Sequence, residues 1–234
     1  MPIEPQSAAS RQAPSPPETP SDDDKWKVVV VDDDESVREA LRGLLGSVGL
    51  KVEAFATAQE CLAGMDPEST TCLVLDVRLP GKSGLDFHDE LKRADIPVPV
   101  VFISGYNDIR MSVRAMKAGA VEFLPKPFSE QELLDAIQLG IAQNRKVRET
   151  KEALDGLRAH WSRLTMRERE VMARVVRGFR NKAIGASLGV SEVTVKAHRR
   201  NVMLKMGART LPDLVRMSDA LEAGGYLKTP ERIL

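Results

Sequence analysis

The chain has 234 residues, 42% of them hydrophobic and 29% charged, enough for one large domain or two small ones with real cores. The formal net charge is zero by cancellation: residues 25–145 carry 14 Lys and Arg against 19 Asp and Glu, residues 162–216 carry 13 against 4, and such asymmetry points to an acidic domain beside a nucleic-acid-binding one. Two cysteines without metal-ligand spacing exclude a disulfide framework and a zinc site, and no apolar run approaches the roughly 20 residues of a membrane span.

Residues 1–24 are proline-rich, lack the apolar core of a signal peptide and are expected to be a disordered tail. The reducing environment implied by Cys61 and Cys72 is that of the cytoplasm. From Lys27 onward, apolar strand-like runs alternate with amphipathic stretches. Val28–Val31 is a continuous β-branched run, as expected of a parallel strand buried on both faces. Val37, Leu41, Leu44 and Leu45 recur at helical spacing over 35–47. The same reasoning predicts strands at 51–54, 72–75, 98–103 and 120–124, and helices at 58–65, 84–93, 109–118 and 129–143. Strict alternation of five strands and five helices implies an α/β fold with a doubly wound parallel sheet over residues 25–143.

Residues 144–161 contain no proline and carry Val147, Leu154, Leu157 and Trp161 as a sparse apolar stripe. They read as a long helical linker that continues the last helix of the sheet domain and packs on a neighbour. Thr165 followed by Glu168 matches a capping box opening an all-α domain over 162–222. Its four helices are predicted at 167–177, 181–188, 192–206 and 211–221, and residues 223–234 read as a C-terminal tail. A glycine-containing turn over 185–191 joins two of these helices, with Ser191 as an N-cap.

Parallel sheets bind ligands beyond the carboxyl ends of their strands, where the strand order reverses. Asp32, Asp33 and Asp34 end the first predicted strand, Asp76 the third and Ser104 the fourth, and Lys126 follows the fifth. Clustered carboxylates repel, so the site calls for a counter-ion, and hard oxygen ligands suit Mg2+. With the metal present, Asp76 can attack phosphorus and form an acyl phosphate, Lys126 can pair with the new charge, and the Ser104 hydroxyl can donate to a phosphoryl oxygen. Singly, any of these groups could be a solvated loop residue; their joint placement at separate strand ends argues otherwise.

In the predicted helix 192–206, Val195, Val202 and Met206, with Val193, Met203 and Leu204 nearby, suit a core-facing stripe. Lys196, Arg199, Arg200 and Asn201 populate the other side, the division a DNA-reading helix needs. Glu192 is the only acidic residue between 171 and 212, whereas a merely solvated helix would mix both signs. His198 suits packing or a DNA contact and has no metal partners nearby.

Residues 27–143 resemble the receiver domain of two-component response regulators through Val-Val-Asp-Asp-Asp (30–34), Leu-Asp-Val-Arg-Leu-Pro-Gly-Lys-Ser-Gly (75–84), Ile-Ser-Gly-Tyr (103–106) and Phe-Leu-Pro-Lys-Pro-Phe (123–128). The resemblance implies a flavodoxin-like receiver with Asp76 as phosphoacceptor. Asp33 would be the principal Mg2+ carboxylate with Asp32 assisting, and Asp76 and the Arg78 carbonyl would complete the protein ligands. Ser104 and Phe123 fall at the family's switch pair and Lys126 at its phosphate-sensing lysine, with a cis Lys126–Pro127 bond. The family commonly has Thr at the Ser104 position and Glu at that of Asp34; both replacements preserve the chemistry. As a strand phenylalanine, Phe123 is by itself equally a core residue.

Residues 164–218 resemble the LuxR-type helix-turn-helix of the FixJ/NarL group through Leu-Thr-Met-Arg-Glu-Arg-Glu-Val-Met (164–172), Gly-Phe-Arg-Asn-Lys-Ala-Ile-Gly (178–185) and Val-Ser-Glu-Val-Thr-Val-Lys-Ala-His-Arg (190–199). By position, Lys196, Ala197 and Arg200 match groove-facing residues; Thr194, Arg199, Lys182 and Asn181 match backbone contacts. The two resemblances together imply a transcription regulator phosphorylated by a sensor histidine kinase, dimerising on phosphorylation, binding promoter DNA and acting on RNA polymerase, with no membrane association. Beyond self-catalysed phosphoryl transfer, no enzyme activity is implied. A hydrolase using the same Mg2+ site would need a second acid just after its nucleophile, and Val77 and Arg78 stand there instead. A constitutive DNA binder with a vestigial receiver is the third alternative, disfavoured by the intact acid, hydroxyl and lysine set.

Overall fold

The computed structural model describes residues 26–105 and 109–227, in two compact units divided between Asn144 and Arg145. The expected N-terminal tail, Tyr106 and residues 228–234 lie outside the described residues.

In the first unit, five strands form one parallel sheet: β1 (Lys27–Val31), β2 (Lys51–Phe55), β3 (Thr70–Asp76), β4 (Val100–Ser104) and β5 (Glu122–Pro125), in the order β2-β1-β3-β4-β5. Between them run α1 (Glu35–Ser47), α2 (Ala58–Gly64), α3 (Gly84–Arg93) and α4 (Ile109–Lys117), and α5 (Glu130–Ser162) follows β5. The two-residue pleat sorts the apolar runs between two cores. Val29, Val31, Leu73, Leu75, Val100 and Phe102 pack on one face with Cys61, Phe87 and Leu91. Val28, Val30, Cys72, Val74, Val101 and Ile103 pack on the other with Leu41, Leu45, Leu133 and Ile137. Both faces being covered explains why these strands read as unbroken hydrophobic runs.

Strand β3 is longer than the sequence suggested, because Thr70 and Thr71 enter it fully buried; the Thr71 hydroxyl donates to the Lys27 carbonyl at 2.8 Å. Strand β4 starts two residues later than expected and ends on Ser104. Local capping fixes the helix starts: Asp34 caps α1 by accepting from Ser36 N–H, and Ser83 caps α3 by accepting from Asp86 N–H.

The expected linker continues the last helix of the sheet domain without a break, as α5. Its final turns belong to the second unit, where Leu157 and Trp161 pack on the core. That core joins α6 (Met166–Val176), α7 (Asn181–Leu188), α8 (Glu192–Met206) and α9 (Leu211–Ala223) around Val171, Met172, Ile184, Val195, Val202, Met206, Leu214 and Leu221. The capping box at Thr165 and Glu168 is formed, and a second one, Thr210 with Asp213, opens α9. Beyond α9, Leu227 packs on this core and the Arg158 guanidinium sits 3.8 Å from the Tyr226 ring centroid, so the expected C-terminal tail begins as packed structure.

Helices α7 and α8 meet tightly at their turn: a Cβ on Gly185 would lie 2.7 Å from the Val190 carbonyl oxygen, so no larger residue fits. One sequence expectation is corrected in α8. Val195, Val202 and Met206 are buried and Met203 packs on the core, but Val193 is 75% exposed and Leu204 78%. Residues two apart on a helix point to opposite sides, which places Val193 away from Val195 and Leu204 away from Val202.

Candidate functional site

The sheet order reverses between β1 and β3, and the buried acids stand at the carboxyl ends of those two strands. Asp32 continues the phase of Val28 and Val30 and is 1% exposed; Asp76 closes β3 at 5%. The Lys126 ammonium lies between them, 2.6 Å from Asp32 Oδ2 and 3.1 Å from Asp76 Oδ1. Asp32 Oδ1 also accepts from Asp34 N–H at 2.9 Å, and Asp76 Oδ2 accepts from Arg78 N–H at 2.8 Å. Each carboxylate is thus held from two directions. Asp33 is exposed, and the structure ties its loop down through Arg38, whose guanidinium donates to the Asp32 and Asp33 carbonyls.

Lys126 is positioned by its backbone. It follows β5, its N–H donates to the Ser104 carbonyl at 2.6 Å, and the Lys126–Pro127 peptide is cis. Ser104 is buried at the end of β4, and Phe123 is buried within the core on the α3 and α4 side of the sheet. Opposite, the N-terminus of α3 comes so close to Asp76 that a Cβ on Gly84 would lie 2.2 Å from the Asp76 carbonyl oxygen. Only glycine permits that approach.

The electrostatics follow from burial. Desolvation pushes the Asp76 carboxyl above its ordinary value; Lys126 pulls it down without cancelling the effect, and the Asp32 charge adds to the rise. Burial alone would lower the Lys126 ammonium, but its hydrogen bond to Asp32 and the charges of Asp76 and Asp32 hold it above the ordinary value. Two carboxylates sharing one lysine leave a net negative cleft of hard oxygens. Among the described residues no three metal-binding side chains cluster closely enough to enclose an ion. Mg2+, which keeps several waters and needs only one or two carboxylates, fits such a donor set; a cage-bound metal does not.

In the second unit the cations lie outside. Along α8, Val193, Lys196, Ala197 and Arg200 are all exposed, at the i, i+3, i+4, i+7 spacing of one helix face. Asn201 is exposed beside them. Lys196 pairs with Glu192 one turn earlier at 3.4 Å. Arg199 is half-buried and donates to Asn181 Oδ1 at 3.2 Å, tying α8 to the start of α7, where Lys182 is exposed. The Thr194 hydroxyl is 2.8 Å from that of Ser191, the N-cap. Sequence reasoning missed one stabilising link: the buried Glu168 carboxylate, besides closing its capping box, is 2.6 Å from Lys205 of α8. Burial alone would raise that carboxyl, but the Lys205 and Thr165 hydrogen bonds hold it below the ordinary glutamate value.

A phosphoacceptor-like carboxylate cleft on a doubly wound sheet, joined in one chain to a basic helix-turn-helix, defines a DNA-binding response regulator. Residues 28–138 match the family described as response regulator receiver domain, and residues 162–218 match bacterial regulatory proteins of the luxR family. The chain belongs to the transcriptional response regulators that combine these two domains. It is 52% identical over 194 residues to Nodulation protein W of Bradyrhizobium diazoefficiens, covering 83% of this chain and 86% of that protein. It is 40% identical over 197 residues to the transcriptional regulatory protein FixJ of Azorhizobium caulinodans, covering 84% and 92%. Among solved structures, the response regulator StyR superposes with a TM-score of 0.77 at 50% identity, covering 83% of this chain and 98% of that one. No helix among the described residues is long and apolar enough to cross a membrane.

Proposed function

We propose that Asp76 accepts a phosphoryl group from a sensor histidine kinase, and that this modification promotes receiver dimerisation and promoter binding. The observation that carries the proposal is the buried Asp76 carboxylate at the end of β3, with Lys126 at 3.1 Å and Asp32 on the far side of that lysine. In the transfer, an Asp76 carboxylate oxygen bonds to phosphorus as the bond from phosphorus to the donor breaks, the electron pair leaving with the donor. Lys126 then neutralises the added charge, and the Ser104 hydroxyl donates to a phosphoryl oxygen. Movement of Ser104 toward the phosphoryl group frees space for the Phe123 ring, the switch that reshapes the surface of α4 and β5.

Asp33 and Asp76, with the Arg78 carbonyl, would hold Mg2+ and Asp32 would assist; since the carboxylates do not close into a cage among the described residues, the ion would keep several of its waters. When bound, the ion supplies positive charge to the transferring phosphoryl oxygens. The chain transfers the phosphoryl group only onto itself, and is not an enzyme with a separate substrate.

Dimerisation is supported by an apolar stripe on α4, where Ile109, Val113 and Met116 are exposed at i, i+4, i+7 spacing. Promoter contact falls to the exposed face of α8: Lys196, Ala197 and Arg200 toward base edges, and Thr194, Arg199, Lys182 and Asn181 toward the backbone. The bound dimer would act on RNA polymerase, in the cytoplasm.

The test is labelling by acetyl phosphate with Mg2+, read by intact mass. The chain is expected to gain one phosphoryl group and Asp76→Asn none; undiminished labelling of the variant would end the assignment.

A further inference from the structure

We propose that Val193 is a specificity-determining residue of DNA binding, whose isopropyl group reads the 5-methyl group of a thymine in the major groove. The inference rests on the proposed reading of α8 as the helix that enters the groove, and adds to it a base contact by a residue outside the set assigned there.

Val193 is 75% exposed although α8 has a well-filled apolar side at Val195, Val202 and Met206. Packing therefore does not account for a valine at the second residue of α8, where its β-branch also lowers helix propensity. Its neighbours on the exposed face are Lys196 and Ala197, one turn further on, and Arg200 after them. Two small apolar groups, Val193 and Ala197, thus alternate along this face with a cation paired to an acid one turn before it and a guanidinium.

The major-groove edge offers donors and acceptors from every base pair but only one apolar group, the thymine methyl. In helix-turn-helix proteins the N-terminal residues of the second helix meet the base edges. Val193 lies in that first turn, ahead of Lys196. Leu204 is as exposed as Val193 but about 16 Å further along the helix axis, beyond the stretch that reads bases. Equal exposure at the two residues thus carries opposite expectations, and Leu204 serves as the internal control.

The experiment selects duplexes from random DNA with the full chain phosphorylated by acetyl phosphate and Mg2+, then replaces each thymine of the selected site by deoxyuridine, which removes only the methyl. At one thymine the loss is expected to be about fourfold in affinity, what burying one methyl group is worth. Val193→Ala should abolish discrimination between thymine and uracil at that position and leave discrimination at any other thymine unchanged, while Val193→Ile should retain it. Leu204→Ala should leave the whole pattern intact. Retention of discrimination at every thymine by Val193→Ala, or its loss with Leu204→Ala, would overturn the inference. If the full chain enriches no sequence at all, it is the DNA-binding reading of α8 that fails.

Discussion

The two units handle charge in opposite ways. In the receiver, Asp32 and Asp76 are withdrawn from water and share one lysine, and burial makes ionisation of Asp76 costly and sensitive to any incoming charge. In the DNA-binding unit, Lys196 and Arg200 stay in solvent on a helix whose other side is anchored by Val195, Val202 and Met206. A buried cluster suits covalent chemistry, in which one group changes state and its neighbours respond. An exposed row suits recognition, in which counterions are displaced and no group changes state. Variants in the first unit should therefore act through stability and phosphorylation, and those on the α8 face through DNA affinity alone.

The largest effect is expected from the closest backbone contact. Gly84→Ala drives a methyl group into the Asp76 carbonyl, and should cost about 3 kcal/mol of receiver stability in urea unfolding with phosphorylation slowed in parallel. A receiver of unchanged midpoint would show that α3 does not approach Asp76 as described. Next, Glu168→Gln should cost the helical unit about 2 kcal/mol, since it leaves Lys205 without its charged partner. The sign with pH is fixed by the lowered carboxyl. Its contribution is complete above the ordinary glutamate value and is lost as pH falls through the lowered folded value, so the variant's deficit should vanish in acid.

On the exposed side, Arg200→Ala should weaken binding to a selected site by about 1–3 kcal/mol and leave non-specific binding little changed. Arg199→Ala should weaken binding to all sequences alike and reduce the salt slope by about one. Identical behaviour of the two would erase the division between base and backbone contacts.

Asp76→Asn in metal-free buffer sharpens the contrast further. Because burial raises the Asp76 carboxyl, the wild-type receiver loses stability as pH rises from the ordinary carboxylate value through the raised one. The variant should melt higher than wild type at neutral pH, and the gap should close toward acid. The smallest effect is expected at Glu192, whose exposed pair with Lys196 contributes no more than about 0.5 kcal/mol to stability. Glu192→Gln should leave the melting temperature unchanged and tighten DNA binding slightly, by removing the one acid beside the phosphates.

Much of this was legible in the residues, for identifiable reasons. The sheet could be read because each strand, buried on both faces, appears as an uninterrupted apolar run. The cleft could be read because Asp32, Asp76, Ser104 and Lys126 fall at strand ends, where a doubly wound sheet gathers them. Which of three successive aspartates meets Lys126 was a matter of pleat phase: Asp32 is in register with Val28 and Val30 and is buried, whereas Asp33 is exposed. The exposure of Val193 and Leu204 was equally available from helical angles, since each lies two residues from a buried valine. The Glu168–Lys205 pair was not available, because it joins residues 37 apart through a tertiary crossing of α6 and α8.

The central claim, that chemistry at Asp76 governs what α8 does on DNA, is tested most directly by titrating the full chain onto its selected duplex with and without acetyl phosphate and Mg2+. Phosphorylation is predicted to raise the affinity of the wild-type chain and to leave Asp76→Asn unchanged. Equal affinity of the phosphorylated and unphosphorylated wild type, or the same gain in the variant, would contradict it.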